Sequence, residues 1–589
     1  MMRLSAQDAP SSNGINGNRK QTSSRVAVKV AQGFIFGSSD TLPNGGDYYC
    51  FKGIPYAKPP VGKLRFRSPV PIDKFPVSYL DCTKERSNCM GLDVVSREIS
   101  GSEDGLYLNV YSPKIPVKGQ GPSELFPVIV FIHGGGLIGG HADSSMYTPD
   151  FLVQDGVVVV TLNYRLGVFG FLCLPDAGIY GNAGLKDQRL ALQWVNQNIR
   201  QFSGDPNNVT LFGASSGAVA AHYHCLSEES KKYFHKGIMT SGCTFIEFAH
   251  CDEPEEKARK MANLLGFNPQ SDEEVIDILR KVPARDLFDL QFKVLSKREE
   301  KVERVFQIPF LPVIERKSSP DFVITKHPME ILCEPDSIRI PILTGYNNCD
   351  GMMMLIDTMK MLDLYNQEPE RFIPRTLNID YFSPEARELG KTVKQFYFND
   401  KPVSRYTLPQ IVEVFSDKYI FAYPISVEVW SRYQRKAKLF CYRFCFDGSL
   451  NKGKSLLRTT LKGATHIDEV YYVFSSPLLQ TNRVPPTDPA YKMRAKMVRM
   501  WTNFAKFGDP TPSNNDELLP FKWLPTENIP PYGPTEPKLE LLNIGPTIGM
   551  VSMPERKRMN FWTEIFRKYN GHIANVRIPT SSFEVNNNV

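Results

Sequence analysis

The sequence predicts an α/β protein in which a large, mostly parallel central sheet is flanked by helices. Three observations carry that expectation. The runs Leu106 to Val110, Val128 to Ile132 and Val157 to Leu162 are short and largely apolar, as strands buried on both faces must be. Segments with helical spacing follow them, in the order strand, helix, strand, helix that a parallel sheet with crossover connections produces. The 589 residues contain no internal repeat and no linker that would divide them cleanly, which favours one large domain with helical insertions over two domains.

Each element has its own signal. Residues 1–24 are dominated by Ser, Asn, Gln, Asp and Gly and read as a disordered polar tail. Order begins at Val26-Ala27-Val28-Lys29-Val30, where apolar residues alternate as in a half-exposed strand. The prolines of Gly53-Ile54-Pro55-Tyr56 and Pro59-Pro60-Val61-Gly62 allow only loop or extended chain. Leu185 to Phe202 carries an apolar helical face made by Leu190, Leu192, Trp194, Val195 and Ile199. A strand, Val209 to Phe212, then leads through a glycine-bounded turn into Ala218-Val219-Ala220-Ala221, a stretch of high helix propensity. Glu253 to Arg304 is charged and helical in pattern. Strand-like runs return at Ile340 to Thr344 and Leu439 to Phe446, and helical ones at Tyr491 to Phe507 and Met559 to Tyr569. The domain is therefore expected over 25–570, with 571–589 as a second tail.

Composition removes several classes. Hydrophobic residues make up 42% and aromatics 11%, enough to exclude a disordered chain. The net charge of 70 − 63 = +7 is too mild over this length for a nucleic-acid footprint. No apolar segment approaches the roughly 18 residues of a membrane helix, and no secretory leader or lipidation signal can be read at either end. Eleven cysteines, an odd number without a CxxC pair, read as reduced thiols of a cytoplasmic protein. Neither a metal nor a cofactor is expected.

The most informative residues are Gly213-Ala214-Ser215-Ser216-Gly217. They match the G-x-S-x-G nucleophile elbow and lie between a β-run and a helix-forming stretch, where its mechanism requires. A sharp strand-to-helix turn forces the central serine into strained backbone angles and lifts its Oγ above the sheet, while the flanking glycines let neighbouring backbone pass. A plain βα turn with a capping serine is the alternative. Upstream, Val128 to Ile132 runs into His133-Gly134-Gly135-Gly136-Leu137, an HGGG loop of the kind that supplies oxyanion donors. Bare backbone is needed there because N–H groups must come within about 2.7–3.1 Å of the substrate oxygen.

A nucleophilic serine needs a base, and nine histidines compete. His222 and His224 fall on the helix after the serine and read as packing or surface residues. His133 belongs to the glycine loop and His572 to the C-terminal end. His466, in Gly463-Ala464-Thr465-His466-Ile467-Asp468-Glu469, comes late in the chain, as the Ser, acid, His order of α/β-hydrolases demands. The acid should then lie between the two, at a strand end, and Asp350 does so, with Gly351 allowing a tight turn. Local sequence alone reads His466 equally as a structural loop histidine and Asp350 as an ordinary turn aspartate.

With these residues in place the chain resembles the type-B carboxylesterase and cholinesterase family, most of all the insect intracellular α-esterase-type carboxylesterases. The resemblance spans roughly Val26 to Phe566. It rests on Phe51-Lys52-Gly53-Ile54-Pro55-Tyr56-Ala57, Ser102-Glu103-Asp104-Gly105-Leu106-Tyr107-Leu108-Asn109-Val110, Asn163-Tyr164-Arg165-Leu166-Gly167, Gly181-Asn182-Ala183-Gly184-Leu185-Lys186-Asp187-Gln188 and Trp501 to Pro510. It implies an α/β-hydrolase fold with a gorge formed by helical insertions, and hydrolysis of small-molecule carboxylic esters, xenobiotic or lipid-like, through an acyl-enzyme. By the same resemblance Ser215 is the nucleophile, Asp350 the acid and His466 the base. The N–H groups of Gly135, Gly136 and Ser216 are the oxyanion donors, and Ser241 is a serine behind the site. Ion pairs Arg65–Glu103 and Arg165–Asp187 are implied as braces.

Departures from the family pattern cluster around the site. Ala214 stands where glutamate is common, Ser216 where alanine is, Leu137 in place of an aromatic, and Ile467 in place of a small residue. Asp350 stands where glutamate is more frequent. Gly105 replaces a disulfide cysteine of secreted relatives and leaves Cys89 without that partner, in keeping with a reducing compartment. The missing acid at Ala214 argues against a cholinesterase, and the four unusual neighbours favour a rival reading as a weak or inactive relative that binds ligands or partners in the same gorge.

Overall fold

Val158–Leu162 is buried at every position, because a strand pairs with it on each side and helices cover both faces of the sheet. The computed structural model describes residues 25–570 except 94–95, 118–120, 248, 252, 303–307, 400, 421 and 527–538. The two expected tails, 1–24 and 571–589, and His572 with them, lie outside the described residues.

The main sheet has 13 strands among the described residues. Its centre runs Val158–Leu162, Phe126–Ile132, Gly204–Ala214, Lys236–Thr240, Ile342–Asn347, Leu439–Phe444 and Glu540–Ile544, each parallel to the next. Antiparallel strands finish both sides. Tyr107–Ser112 pairs with Val158–Leu162 and with Asp47–Pro55, and Ile548–Ser552 closes the other edge. The proline-rich passage thus begins as a strand that ends at Pro55, extended as its composition requires.

Crossover helices cover the sheet. Ala183–Asn198 continues in a 3₁₀ turn to Phe202, and the short alanine-rich segment becomes the helix Ser216–Leu226, buried throughout. Two helical insertions interrupt the strands. The first holds Pro254–Leu264, Asp272–Lys281, Ala284–Leu290 and Lys297–Val302, within the charged region the sequence marks. The second, between Ile342–Asn347 and Leu439–Phe444, holds Pro384–Phe398, Leu408–Ile420 and Ala422–Tyr433.

Both implied ion pairs are present. Arg65 Nη2 lies 2.6 Å from Glu103 Oε2, and Arg165 Nη2 lies 2.6 Å from Asp187 Oδ1. Arg165 also donates to the Arg67 carbonyl at 2.7 Å, so one buried guanidinium joins three segments. All eleven cysteines are free. A Cβ on Gly105 would stand 2.6 Å from the Cys89 backbone, so the two segments touch without a cross-link. Among the described residues no helix is long and apolar enough to cross a membrane, and no cluster of His, Cys, Asp and Glu could hold a metal ion.

Candidate active site

The strand Gly204–Ala214 ends at Ser215, whose φ of 57° and ψ of −126° turn the chain sharply into the helix Ser216–Leu226. Such angles are strained for any residue but glycine. The neighbours over-determine them. A Cβ on Gly213 would lie 2.0 Å from the Gly217 carbonyl, and one on Gly217 would lie 2.1 Å from the carbonyl of Ile132. Only glycine at both positions lets the elbow close against the neighbouring strand.

The three side chains singled out in the sequence form one hydrogen-bonded line. His466 Nε2 is 2.7 Å from Ser215 Oγ, and His466 Nδ1 is 2.9 Å from Asp350 Oδ1. Asp350 Oδ2 accepts the Asn347 N–H at 3.1 Å, which fixes the carboxylate. Gly351 has a role other than the expected tight turn. Its φ is not positive, and a Cβ there would meet Ser416 N at 2.4 Å and Val412 O at 2.5 Å. The glycine admits the insertion helix Leu408–Ile420 against the acid's loop, and its N–H donates to Ser416 Oγ at 2.8 Å.

Electrostatics separate His466 from its competitors. Burial pulls its pKa down, but the hydrogen bond and charge of Asp350, followed by the charges of Glu469 and Asp468, outweigh burial and raise it above the ordinary value. Burial alone holds His222 near 4, and burial is the main cause that brings His224 and His133 down to about 3. These three are neutral packing residues. His224 bonds Gln188 and Ser230, each at 2.9 Å.

The HGGG loop packs directly on the elbow, since a Cβ on Gly134 would stand 2.8 Å from that of Ser215. Gly135 and Gly136 have φ of 120° and 66°, a path closed to most side chains. Among the described residues no hydrogen bond engages the N–H groups of Gly135, Gly136 or Ser216. The Ser216 hydroxyl accepts the Leu137 N–H at 3.2 Å. The phenol O–H of Tyr164 donates to the His133 carbonyl at 2.9 Å. One end of the glycine loop is therefore tied to Ser216 and the other to Tyr164.

Behind the line lies Glu469, a residue the sequence reading quotes without giving it a part. Its carboxylate accepts from Ser241 Oγ at 3.1 Å and Tyr442 O–H at 3.3 Å, and from the Asn347 amide. Burial and the nearby Asp350 charge push its pKa up to about 7. Ser241 thus reaches the site through Glu469. The available signal was an acid three residues after His466 and directly before an apolar run, a place where a charge needs partners.

Above Ser215 opens a cavity of about 810 Å³, counted with its mouth, between Leu92, Ile138, Tyr147, Met353 and Ile467. Ala214 forms part of its floor and Arg97 reaches its lining.

This is a nucleophile elbow on a mostly parallel sheet, the arrangement of the α/β-hydrolase fold. A model of the carboxylesterase family matches residues 24–562, and the chain belongs to that family. It is 32% identical to Esterase B1 of Culex pipiens over 92% of this chain and 98% of that one. To a juvenile hormone esterase of Tribolium castaneum it is 33% identical, over 84% and 85%. The crystal structure of juvenile hormone esterase from Manduca sexta, with OTFP covalently attached, superposes with a TM-score of 0.79 at 26% identity, covering 92% of this chain and all of that one. The chain is a carboxylic ester hydrolase.

Proposed function

We propose that Ser215, His466 and Asp350 perform this hydrolysis through an acyl-enzyme, on small-molecule esters with apolar flanks. His466 Nε2 takes the Ser215 proton as Oγ attacks the ester carbonyl. The oxyanion is held by the N–H groups of Gly135, Gly136 and Ser216. The alcohol leaves with the proton from His466, and water, activated by the same imidazole, releases the acid. Asp350 accepts the Nδ1–H, keeps the productive tautomer and stabilises the imidazolium.

The observation that carries this reading is the line of 2.7 and 2.9 Å contacts from serine through imidazole to carboxylate. Covalently attached OTFP in the Manduca sexta relative supports a covalent route. The apolar walls Leu92, Ile138, Met353 and Ile467 support esters with hydrocarbon on either side of the reacting carbonyl. We place the protein in the cytoplasm, a reading supported by eleven free cysteines. The unbroken line of side chains disfavours an inactive binder.

The test is a fluorophosphonate probe together with a neutral chromogenic ester. The native protein should be labelled stoichiometrically. Ser215→Ala should lose labelling and several orders of magnitude in turnover with its circular dichroism unchanged. Ester hydrolysis retained by that variant would refute the assignment.

A further inference from the structure

The cavity above Ser215 has an uneven charge. Among the described residues its lining contains no carboxylate, and Ala214 occupies the position beside the nucleophile. Among the described residues of that lining, Arg97 is the one that carries a permanent charge.

Arg97 is held there by the backbone. Gly91–Leu92 and Ile99–Ser100 form a small antiparallel ladder, and Arg97 lies between them at a φ of 62°, its N–H donating to the Asp93 carbonyl at 2.9 Å. The ladder is rooted on the glycine loop. Leu92 N–H donates to Ile138 O at 2.8 Å, and Leu92 O accepts from Gly140 at 3.4 Å. So tight is this seat that a Cβ on Gly139 would lie 2.3 Å from Leu92 O. Leu92, at the root of the ladder, therefore keeps a fixed relation to the oxyanion donors.

Among the described residues neither acid of that segment pairs with Arg97: Asp93 Oδ1 accepts the Ser96 N–H at 2.7 Å, and the exposed Glu98 forms no ion pair with its neighbour. Among the described residues the guanidinium has no ion-pair or hydrogen-bond partner, and Arg97 is exposed. An arginine keeps its charge at every working pH and presents a planar fork that matches a carboxylate. On an apolar wall facing a reactive serine, an unpaired fork is a recognition group waiting for an anion.

We propose that Arg97 binds a carboxylate at the far end of the acyl or alcohol chain of the substrate, so that the preferred esters are amphipathic, with one anionic terminus and an apolar middle. The inference rests on the acyl-enzyme reading and adds a substrate class to it. The carboxylate pairs with Arg97 at the mouth, the hydrocarbon lies along Leu92, Ile138 and Met353, and the ester carbonyl meets Ser215. With an acid at position 214 the same substrate would meet repulsion near the reacting centre; alanine removes it.

The experiment compares carboxyl-terminated esters with their methyl-capped neutral isosteres, in one series with the carboxylate on the acyl chain and another with it on the alcohol. Chains should be long enough that the free carboxylate cannot attack its own ester. The readout is the ratio of kcat/KM, anionic to neutral, for the native protein, Arg97→Gln and Arg97→Glu. In at least one series the ratio should fall about fivefold in Arg97→Gln, the size of one partly exposed ion pair, and further in Arg97→Glu. In the native protein the same ratio should decline with added salt. A ratio indifferent to both substitutions and to salt in both series would overturn the proposal. Labelling by the fluorophosphonate and turnover of the neutral esters by the native protein test the acyl-enzyme reading separately, so the two can fail independently.

Discussion

His466 must be neutral to take a proton, and its surroundings favour the charged form. The acids that face it come from two segments. Asp350 contacts Nδ1 at 2.9 Å from the loop after Ile342–Asn347, and Asp468 and Glu469 follow it in its own loop. Burial opposes them and loses, so the imidazole holds its proton to a higher pH than a free histidine. The sign follows. Activity requires the deprotonated base and is lost as pH falls through a pKa above the reference of about 6.5. The acid limb of kcat/KM should therefore have its midpoint above that value. A midpoint at or below it would mean that Asp350 does not govern the ring. Beside the base, Ile467 sits at φ 60° and ψ 10°, a left-handed conformation that costs a β-branched residue roughly 1–2 kcal/mol. Glycine, which has no Cβ, would escape that cost. Here the strain holds an apolar side chain in the cavity wall.

At the scale of elements, the helix Ser216–Leu226 and the glycine loop are joined by a contact that only this chain's departures make. Leu137, at φ 59°, gives its N–H to Ser216 Oγ at 3.2 Å, while Tyr164 O–H holds the other end of the loop at His133 O. Ser216→Ala leaves the Leu137 N–H buried without an acceptor, a cost of about 1–3 kcal/mol. The denaturation midpoint should drop accordingly. Because the loop's N–H groups act mainly on the oxyanion, kcat should fall several-fold while KM changes little. A change confined to KM would show that the tie serves substrate binding instead. Much of this geometry was legible in residue order. The elbow and the HGGG loop are local motifs whose glycines are demanded by contacts across a few residues, so sequence spacing sufficed. Asp350 and His466 could be read only as candidates, because their partnership spans 116 residues and depends on how two loops meet. Glu469 and Arg97 escaped notice for a related reason. A buried acid and a cavity-facing arginine look like any surface charge until the fold shows what surrounds them. The insertion helices between 384 and 433 also went unread, since their burial comes from packing on one another and on Asp350's loop.

Over the whole molecule, the cysteines give the most direct check on how the fold is held. The region around Cys89 is secured by contact and charge: Gly105 against the Cys89 backbone, Arg65 with Glu103, and Arg165 with Asp187. Removing one partner of such a buried pair typically costs about 3–5 kcal/mol, comparable to the 2–5 kcal/mol lost with a native disulfide, so the braces suffice without oxidation. Nine of the eleven thiols are buried, with Cys349 and Cys445 partly exposed. Burial raises the pKa of the Cys50, Cys243 and Cys349 thiols to about 12 and lifts that of Cys89 well above the ordinary thiol range, which keeps them protonated and poorly nucleophilic. A thiol-reactive chromophore should accordingly titrate at most two groups in the native protein, and slowly. Unfolded in guanidinium without reductant, the same sample should release eleven equivalents. Reductant should leave the native melting temperature unchanged, because no covalent loop is present to open. A shortfall from eleven, matched by the loss of two hydrogens per missing pair in the intact mass, would reveal a cross-link. It would also remove the main support for a reducing compartment and return the bracing of the Cys89 region to a covalent explanation.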